Sequence, residues 1–286
     1  MRFETWKLDV PGTVQAKLNI YLQDSYPGTM VMEKRPMVLV CPGGGYGHVS
    51  PREADPIALE FLAVGCQTAV LWYDIAEHGV EFPQHLKEVA ASVAYLREHA
   101  EEFNIVADQI IVAGFSAGGH LVASLGCYWH EEWLEKQMGM AKEMYQPNGL
   151  ILAYPVITAG EFAHRGSFEN VMGSKAKNGD DATGLNGAEL EAKLSLENQV
   201  TDKVPPVFMW HTFEDGAVPL ENSLFFAMAL RKAGVSLEYH VFPRGGHGYG
   251  LANMLTAMPS LKEIDPQCEQ WMLLCKNWIK YTYMEK

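Results

Sequence analysis

IIVAGFSAGGHL, residues Ile110 to Leu121, joins an apolar run to a serine set between glycines and then to a segment that continues with helical spacing. A short apolar run that stops at a turn residue reads as a strand buried on both faces. Gly114-Phe115-Ser116-Ala117-Gly118 then fits a tight strand-to-helix turn, in which the serine backbone is strained and the flanking glycines let neighbouring backbone come close. Such a turn presents the hydroxyl of Ser116 at the carboxyl end of the strand. A plainer account of the same residues is a Gly-rich turn that packs a helix on a strand. The surrounding sequence has to choose between them.

Working outward, the same rhythm repeats. Alternating apolar positions in AKLNIYL suggest an early strand, and MVLVC (Met37 to Cys41), QTAVLWY (Gln67 to Tyr73) and QIIVAG (Gln109 to Gly114) are short apolar runs ending at turn residues. Further runs are GLILAY (Gly149 to Tyr154), PVFMWH (Pro206 to His211) and SLEYHVF (Ser236 to Phe242). Helical spacing lies between them, at Pro56 to Val64, Phe82 to Phe103, about Leu220 to Ala233, and Trp271 to Tyr283. In the second, Leu86, Val89, Ala90, Val93 and Leu96 share one face, with Lys87, Glu88 and Arg97 opposite. The pattern predicts an α/β fold: a mostly parallel central sheet with helices on both faces, in a single domain spanning 1–286. One stretch breaks the rhythm. Ala159 to Lys203, rich in Gly, Asn, Ser and charge, reads as a small cap segment inserted at about 155–205.

Composition narrows the partners. The chain has 286 residues, 48% of them apolar, and 22 Lys and Arg against 35 Asp and Glu give a net charge of -13. That excess repels a phosphate backbone or an anionic bilayer, so neither nucleic acid nor a membrane is an expected partner. MRFETWKLDV lacks the apolar run of a signal peptide, and no long uncharged apolar run occurs elsewhere, so a cytoplasmic protein is expected. Its 5 cysteines are scattered, without a CxxC pair or metal spacing, which suits a reduced compartment. No metal or cofactor is called for. A homo-oligomer is compatible with the sequence, which does not specify the number of copies.

A serine hydroxyl becomes a nucleophile only with a base beside it and a group that orients the base. Among the 10 histidines, His240 lies in a strand pattern, His85 and His99 lie on a helix, and His120 is fixed in the helix after Ser116. His247 differs, because PRGGHGYG places it on a Gly-rich loop just after the final strand. For the acid, HTFED follows strand PVFMWH, which makes Asp215 the candidate and Glu214 its rival. Serine, aspartate and histidine then occur in that chain order, each after its own strand. A solvated histidine on a plain loop is the bland reading of His247.

Acyl transfer develops a negative oxygen, held best by preorganised amides. CPGGGY follows strand MVLVC directly, and its consecutive glycines let Gly44 and Gly45, with Ala117 after the serine, present N–H groups to a ligand. The loop lacks the GKS/T ending and the GxGxxG spacing of phosphate-binding loops. Tyr46, Glu161 and His164 are the candidate substrate contacts, and Trp129 and Trp133 are candidates for narrowing the cleft; the plainer reading makes the aromatics core packing and the charges a solvated rim.

CPGGGYGHVSPREADPIALEFLAVG, VAGFSAGGHLVASLG, AYPVITAGEFAHRGSFEN and the block from Trp210 to Ala252 resemble the bacterial α/β-hydrolase esterases described as acetylesterases or acetyl xylan esterase-like sugar hydrolases. The resemblance runs from about Met37 to Leu251. It implies the α/β-hydrolase fold, with Ser116 as nucleophile, Asp215 as acid and His247 as base. One departure stands out: related esterases often begin the glycine loop with His-Gly-Gly, and here Pro42 occupies the histidine's place. The function so implied is cleavage of short-chain carboxylic esters, such as acetyl groups on sugars, in a small-molecule substrate. An amide- or formamide-cleaving enzyme would use the same residues, and a non-catalytic binding protein would keep the pocket and turn over nothing.

Overall fold

The computed structural model describes residues 1–285 except 27, 30, 31 and 180–183. Its strands are β1 (Arg2–Lys7), β2 (Lys17–Leu22), β3 (Arg35–Cys41), β4 (Gln67–Trp72), β5 (Ile105–Phe115), β6 (Gly149–Ala153), β7 (Val207–Thr212) and β8 (Leu237–Phe242). They form one sheet in the order β1-β2-β4-β3-β5-β6-β7-β8. The first two pairings, β1 with β2 and β2 with β4, are antiparallel, and every other pairing is parallel. This is the α/β-hydrolase fold expected from the sequence. β1 had no counterpart in that reading, since an edge strand exposed along most of its length carries little apolar signal.

Helices α1 (Asp55–Val64), α2 (Gln84–Glu98), α3 (Ala117–Tyr128) and α4 (Glu132–Met138) lie between β3 and β6 in the chain. Helices α5 (Arg165–Met172), α6 (Lys175–Asn178) and α7 (Gly187–Leu194) occupy the stretch between β6 and β7, while α8 (Glu221–Ala233) and α9 (Gln270–Ile279) follow β7 and β8. Residues 180–183 of the expected cap lie outside the described residues. Among the described residues, no helix is long and apolar enough to cross a membrane.

The pleat explains why β3 is apolar on both faces from Met37 to Cys41. Met37, Leu39 and Cys41 of β3 join one core, which includes Val89 and Val93 of α2 and Leu121 and Leu125 of α3. Val38 and Val40 join the other, which includes Phe61 of α1 and Trp271 and Trp278 of α9. Alternate residues therefore face opposite helical layers, and both faces of such a strand are buried. The parallel register also aligns the strand ends. Cys41 lies opposite Gly114, Phe115 opposite Ala153, Ala153 opposite Trp210, and Thr212 opposite Phe242. The loops that leave these residues meet along one edge of the sheet, where ligands bind in open α/β folds.

Candidate active site

Ser116 stands between the end of β5 and the first turn of α3 with φ 54° and ψ -119°. A serine with positive φ is strained, and close neighbours hold it there. Its amide donates to the Ala153 carbonyl at 3.0 Å, and its own carbonyl accepts from His120 and Val156 at 3.2 and 3.1 Å. The glycines around it are steric requirements. A Cβ on Gly114 would lie 2.2 Å from the Gly118 carbonyl oxygen, and one on Gly118 would lie 2.1 Å from the Cys41 carbonyl oxygen.

His247 arrives on the loop after β8. Its Nε2 accepts from the Ser116 hydroxyl at 2.6 Å, and its Nδ1–H donates to Asp215 Oδ2 at 2.6 Å. Asp215, on the loop after β7, is 5% exposed. Burial alone would raise its carboxyl pKa, but hydrogen bonds from His211, His247 and the Val218 amide, with the nearby imidazole of His247, outweigh this and hold it far below the usual carboxylate range. Glu214 is placed differently: its Oε2 accepts from the Gly245 amide at 3.2 Å, so it braces the loop that carries His247.

The glycine loop after β3 lies beside this line of residues. Gly44 has φ 127° and Gly45 φ 62°, a conformation that suits glycine. The Gly43 amide is taken by Glu53, whereas the amides of Gly44, Gly45 and Ala117 have no acceptor among the described residues. Ala117 is the first residue of α3, so its N–H also lies at the positive end of the helix. Gly44 and Gly45 border a cavity of about 490 Å³ whose lining also includes Ser116, the residue before Ala117, with His247, His48, His164, Asn170, Arg52 and Glu53. The lining is dominated by polar side chains and bare backbone.

His164 lies at this cavity. Its Nδ1 caps α5, accepting from the Ser167 hydroxyl at 2.8 Å and the Ser167 amide at 3.3 Å. That use of Nδ1 puts the ring proton on Nε2, which is left as a donor. Burial, and after it the nearby His247, lowers its pKa, which keeps the ring neutral. Asn170, one turn further along α5, donates to the Gly45 carbonyl at 2.8 Å and ties the helix to the glycine loop.

Other expected contacts are corrected. Tyr46 is 1% exposed, and its hydroxyl bonds His120 Nδ1 at 2.9 Å, so its ring supports the loop from beneath and is buried away from a ligand. Glu161 is exposed and outside the cavity lining, next to a turn that Arg165 closes by donating to the carbonyls of Ala159 and Gly160 at 2.7 and 2.8 Å. Trp129 is core, donating to the Lys203 carbonyl at 3.0 Å, and Trp133 packs against Phe82 and Tyr128. Two residues that the sequence reading passed over belong to the site. His211 donates from Nε2 to Asp215 Oδ2 at 3.2 Å and to the Val218 carbonyl at 2.9 Å. Glu53, a buried acid on an otherwise ordinary loop, binds the glycine loop.

Comparison with known proteins identifies the family and supports the fold. Residues 18–230 match the BD-FAE family model. The chain is 36% identical over 222 residues to endo-1,4-beta-xylanase B of Butyrivibrio fibrisolvens, an alignment covering 77% of this chain and 33% of that one. It spans between 33% and 58% of the length of the curated relatives it matches. Among solved structures, the acetyl ester-xyloside bifunctional hydrolase of Caldicellulosiruptor lactoaceticus superposes with a TM-score of 0.77 at 32% identity, covering 96% of this chain and 92% of that one. The carboxylesterase Cest-2923 of Lactobacillus plantarum WCFS1 gives 0.82 at 28% identity, covering 99% and 98%.

Proposed function

Since the chain belongs to the BD-FAE family, we propose that it is a serine carboxylesterase that removes short acyl groups, acetyl above all, from small hydroxylated molecules such as sugars. The observation that carries this reading is the continuous line Ser116 Oγ, His247 and Asp215, with 2.6 Å at each hydrogen bond, beside three backbone amides that have no acceptor among the described residues.

In the proposed reaction, Ser116 Oγ attacks the ester carbonyl as His247 Nε2 takes its proton. Asp215 fixes the imidazole with Nδ1 protonated and stabilises the imidazolium that forms. The carbonyl oxygen, now negative, is held by the amides of Gly44, Gly45 and Ala117. His247 returns the proton to the departing alkoxide, leaving an acyl-enzyme on Ser116. Water then repeats the sequence, with His247 as base, and releases the acid.

The preference for small, hydroxylated substrates rests on the polar lining of the cavity, where a long acyl tail would meet few apolar side chains. The neutral Nε2–H of His164 supplies a donor to a sugar hydroxyl or to the ester's leaving oxygen. The name of the acetyl ester-xyloside hydrolase among the structural relatives supports the same substrate class. All five cysteines are unpaired and buried, which suits the proposed cytoplasmic setting. The reading is tested by hydrolysis of acetylated xylosides and aryl acetates by the wild type and by Ser116→Ala. Turnover by the wild type alone supports it, and equal turnover by both would refute it.

A further inference from the structure

Glu53 joins the two halves of the site. It ends a single 3-10 turn over Pro51–Glu53 and is 4% exposed, with its carboxylate between two loops. Oε2 accepts from the Gly43 amide at 2.9 Å, and Oε1 accepts from the Tyr154 hydroxyl at 2.7 Å. The Tyr154 oxygen in turn accepts from the Gly250 amide at 2.9 Å, and its ring stands edge-on to the His247 imidazole with centroids 5.0 Å apart. Arg52, from the same turn, donates to the Gly248 carbonyl at 2.9 Å. One short turn of chain therefore grips the loop of free amides on one side and the loop of His247 on the other.

The glycine loop needs such an anchor. Three successive glycines have no side chains of their own to restrict their dihedrals; the Gly47, His48 and Ser50 amides close the turn on the Gly44 and Gly43 carbonyls, and Glu53 holds the amide at its start, next to the free donors. The residue before them is Pro42, which has neither a side-chain hydrogen bond nor an amide N–H to offer. A carboxylate is a strong acceptor for a backbone amide, and the Gly43 site is tight: a Cβ there would lie 2.7 Å from Glu53 Oε2 and 2.9 Å from Ser116 Cβ.

We infer that Glu53 is a positioning residue for acyl transfer, whose carboxylate aims the Gly44 and Gly45 amides at the developing oxyanion and, through Tyr154, sets the imidazole of His247. The inference rests on the esterase reading above. Glu53 borders the cavity, but both of its carboxylate oxygens are engaged by Gly43 and Tyr154, and the inference assigns it no proton transfer.

The test is stopped-flow acylation by an aryl acetate, with the burst amplitude giving the concentration of working sites and thermal unfolding reporting the fold. Wild type and Ser116→Ala first establish the esterase reading independently. Glu53→Ala is expected to lower the acylation rate constant per working site roughly 100-fold, with KM changed less than about threefold. Glu53→Gln keeps an acceptor for the Gly43 amide but leaves the Tyr154 hydroxyl proton without one, so its loss is expected to be smaller, roughly tenfold. Tyr154→Phe spares the Gly43 bond and is expected to lose less than Glu53→Ala. Should Glu53→Ala fail to fold, Glu53→Gln decides. Acylation per working site within about twofold of wild type in the folded Glu53 variants, or a loss confined to burst amplitude, would overturn the inference while leaving the esterase reading in place. No hydrolysis by the wild type would overturn both.

Discussion

His211 Nε2 lies 3.2 Å from Oδ2 of Asp215, the same oxygen that accepts from His247 Nδ1 at 2.6 Å. With the Ala217 and Val218 amides on Oδ1, each at 2.9 Å, the carboxylate has donors on both oxygens and one remaining direction, toward His247. His211 Nδ1 accepts from the Ser223 hydroxyl, which keeps its proton on Nε2. Asp215→Asn should therefore lower kcat about 10⁴-fold, because an amide cannot hold the productive imidazole tautomer. Glu214→Gln, at the loop brace, should cost less than about tenfold. Steady-state kinetics on an aryl acetate separate the two, and equal losses would mean that Asp215 is not the orienting acid.

Stability should depend on Asp215 with a definite sign. Its carboxyl pKa is depressed in the folded protein, so its contribution is complete above the unfolded value, near 3.9, and is lost as pH falls through the folded value. Asp215→Asn should be less stable than the wild type at pH 7, with the difference shrinking in strong acid. Urea unfolding at a series of pH values measures this. A difference that does not change with pH would contradict it.

Glu88 should show the opposite slope. It is fully buried beside Asp74, and burial, with that neighbouring carboxylate, pushes its pKa up to about 8. Oε2 accepts from the Asp74 amide at 3.0 Å, and Oε1 accepts from the Thr13 hydroxyl and the Gln84 amide at 3.3 and 3.4 Å. Folding takes up a proton here, so the stability it supplies is full below the unfolded value, near 4.3, and falls as pH rises toward 8. Glu88→Gln keeps a donor for Asp74 without a titrating proton. Its thermal midpoint should exceed that of the wild type at pH 8 and approach it at pH 5; a variant less stable at both would refute this.

His164 should affect binding more than chemistry. His164→Ala removes one neutral donor from the cavity and the cap of α5, so KM for an acetylated xyloside should rise by roughly fivefold to twentyfold, as expected for one lost hydrogen bond, with a smaller change for an aryl acetate. His164→Gln separates the lost donor from the lost cap. A uniform change across both substrates would mean that His164 matters only to the fold.

Much of this site was legible because each element carries its signal locally. The elbow around Ser116 announces itself by small residues at fixed spacing, and the places after β7 and β8 where Asp215 and His247 sit follow from apolar runs that end at turn residues. What the sequence hid depends on three-dimensional placement. Glu53 gains its meaning from a Gly43 amide ten residues earlier and from Tyr154 across the sheet. His211 looked like the polar end of a strand, yet it is wholly buried and serves Asp215 one turn of loop later. For Tyr46, Glu161 and the two tryptophans the sequence left the direction of the side chain open, because proximity to a cleft-forming loop does not say which way a side chain turns. For Tyr46 the turn is inward, set by a positive φ of 60° that buries the ring against His85 and His120.

The central claim is that Ser116 carries the acyl group. Acid-quenched mass spectrometry of the protein mixed with an aryl acetate, followed by peptide mapping, tests it most directly. The account predicts the mass of one acetyl group on the peptide containing Ser116 in the wild type, with no adduct and no turnover in Ser116→Ala. Acetyl mapped to another residue, together with Ser116→Ala turning over at the wild-type rate, would contradict it.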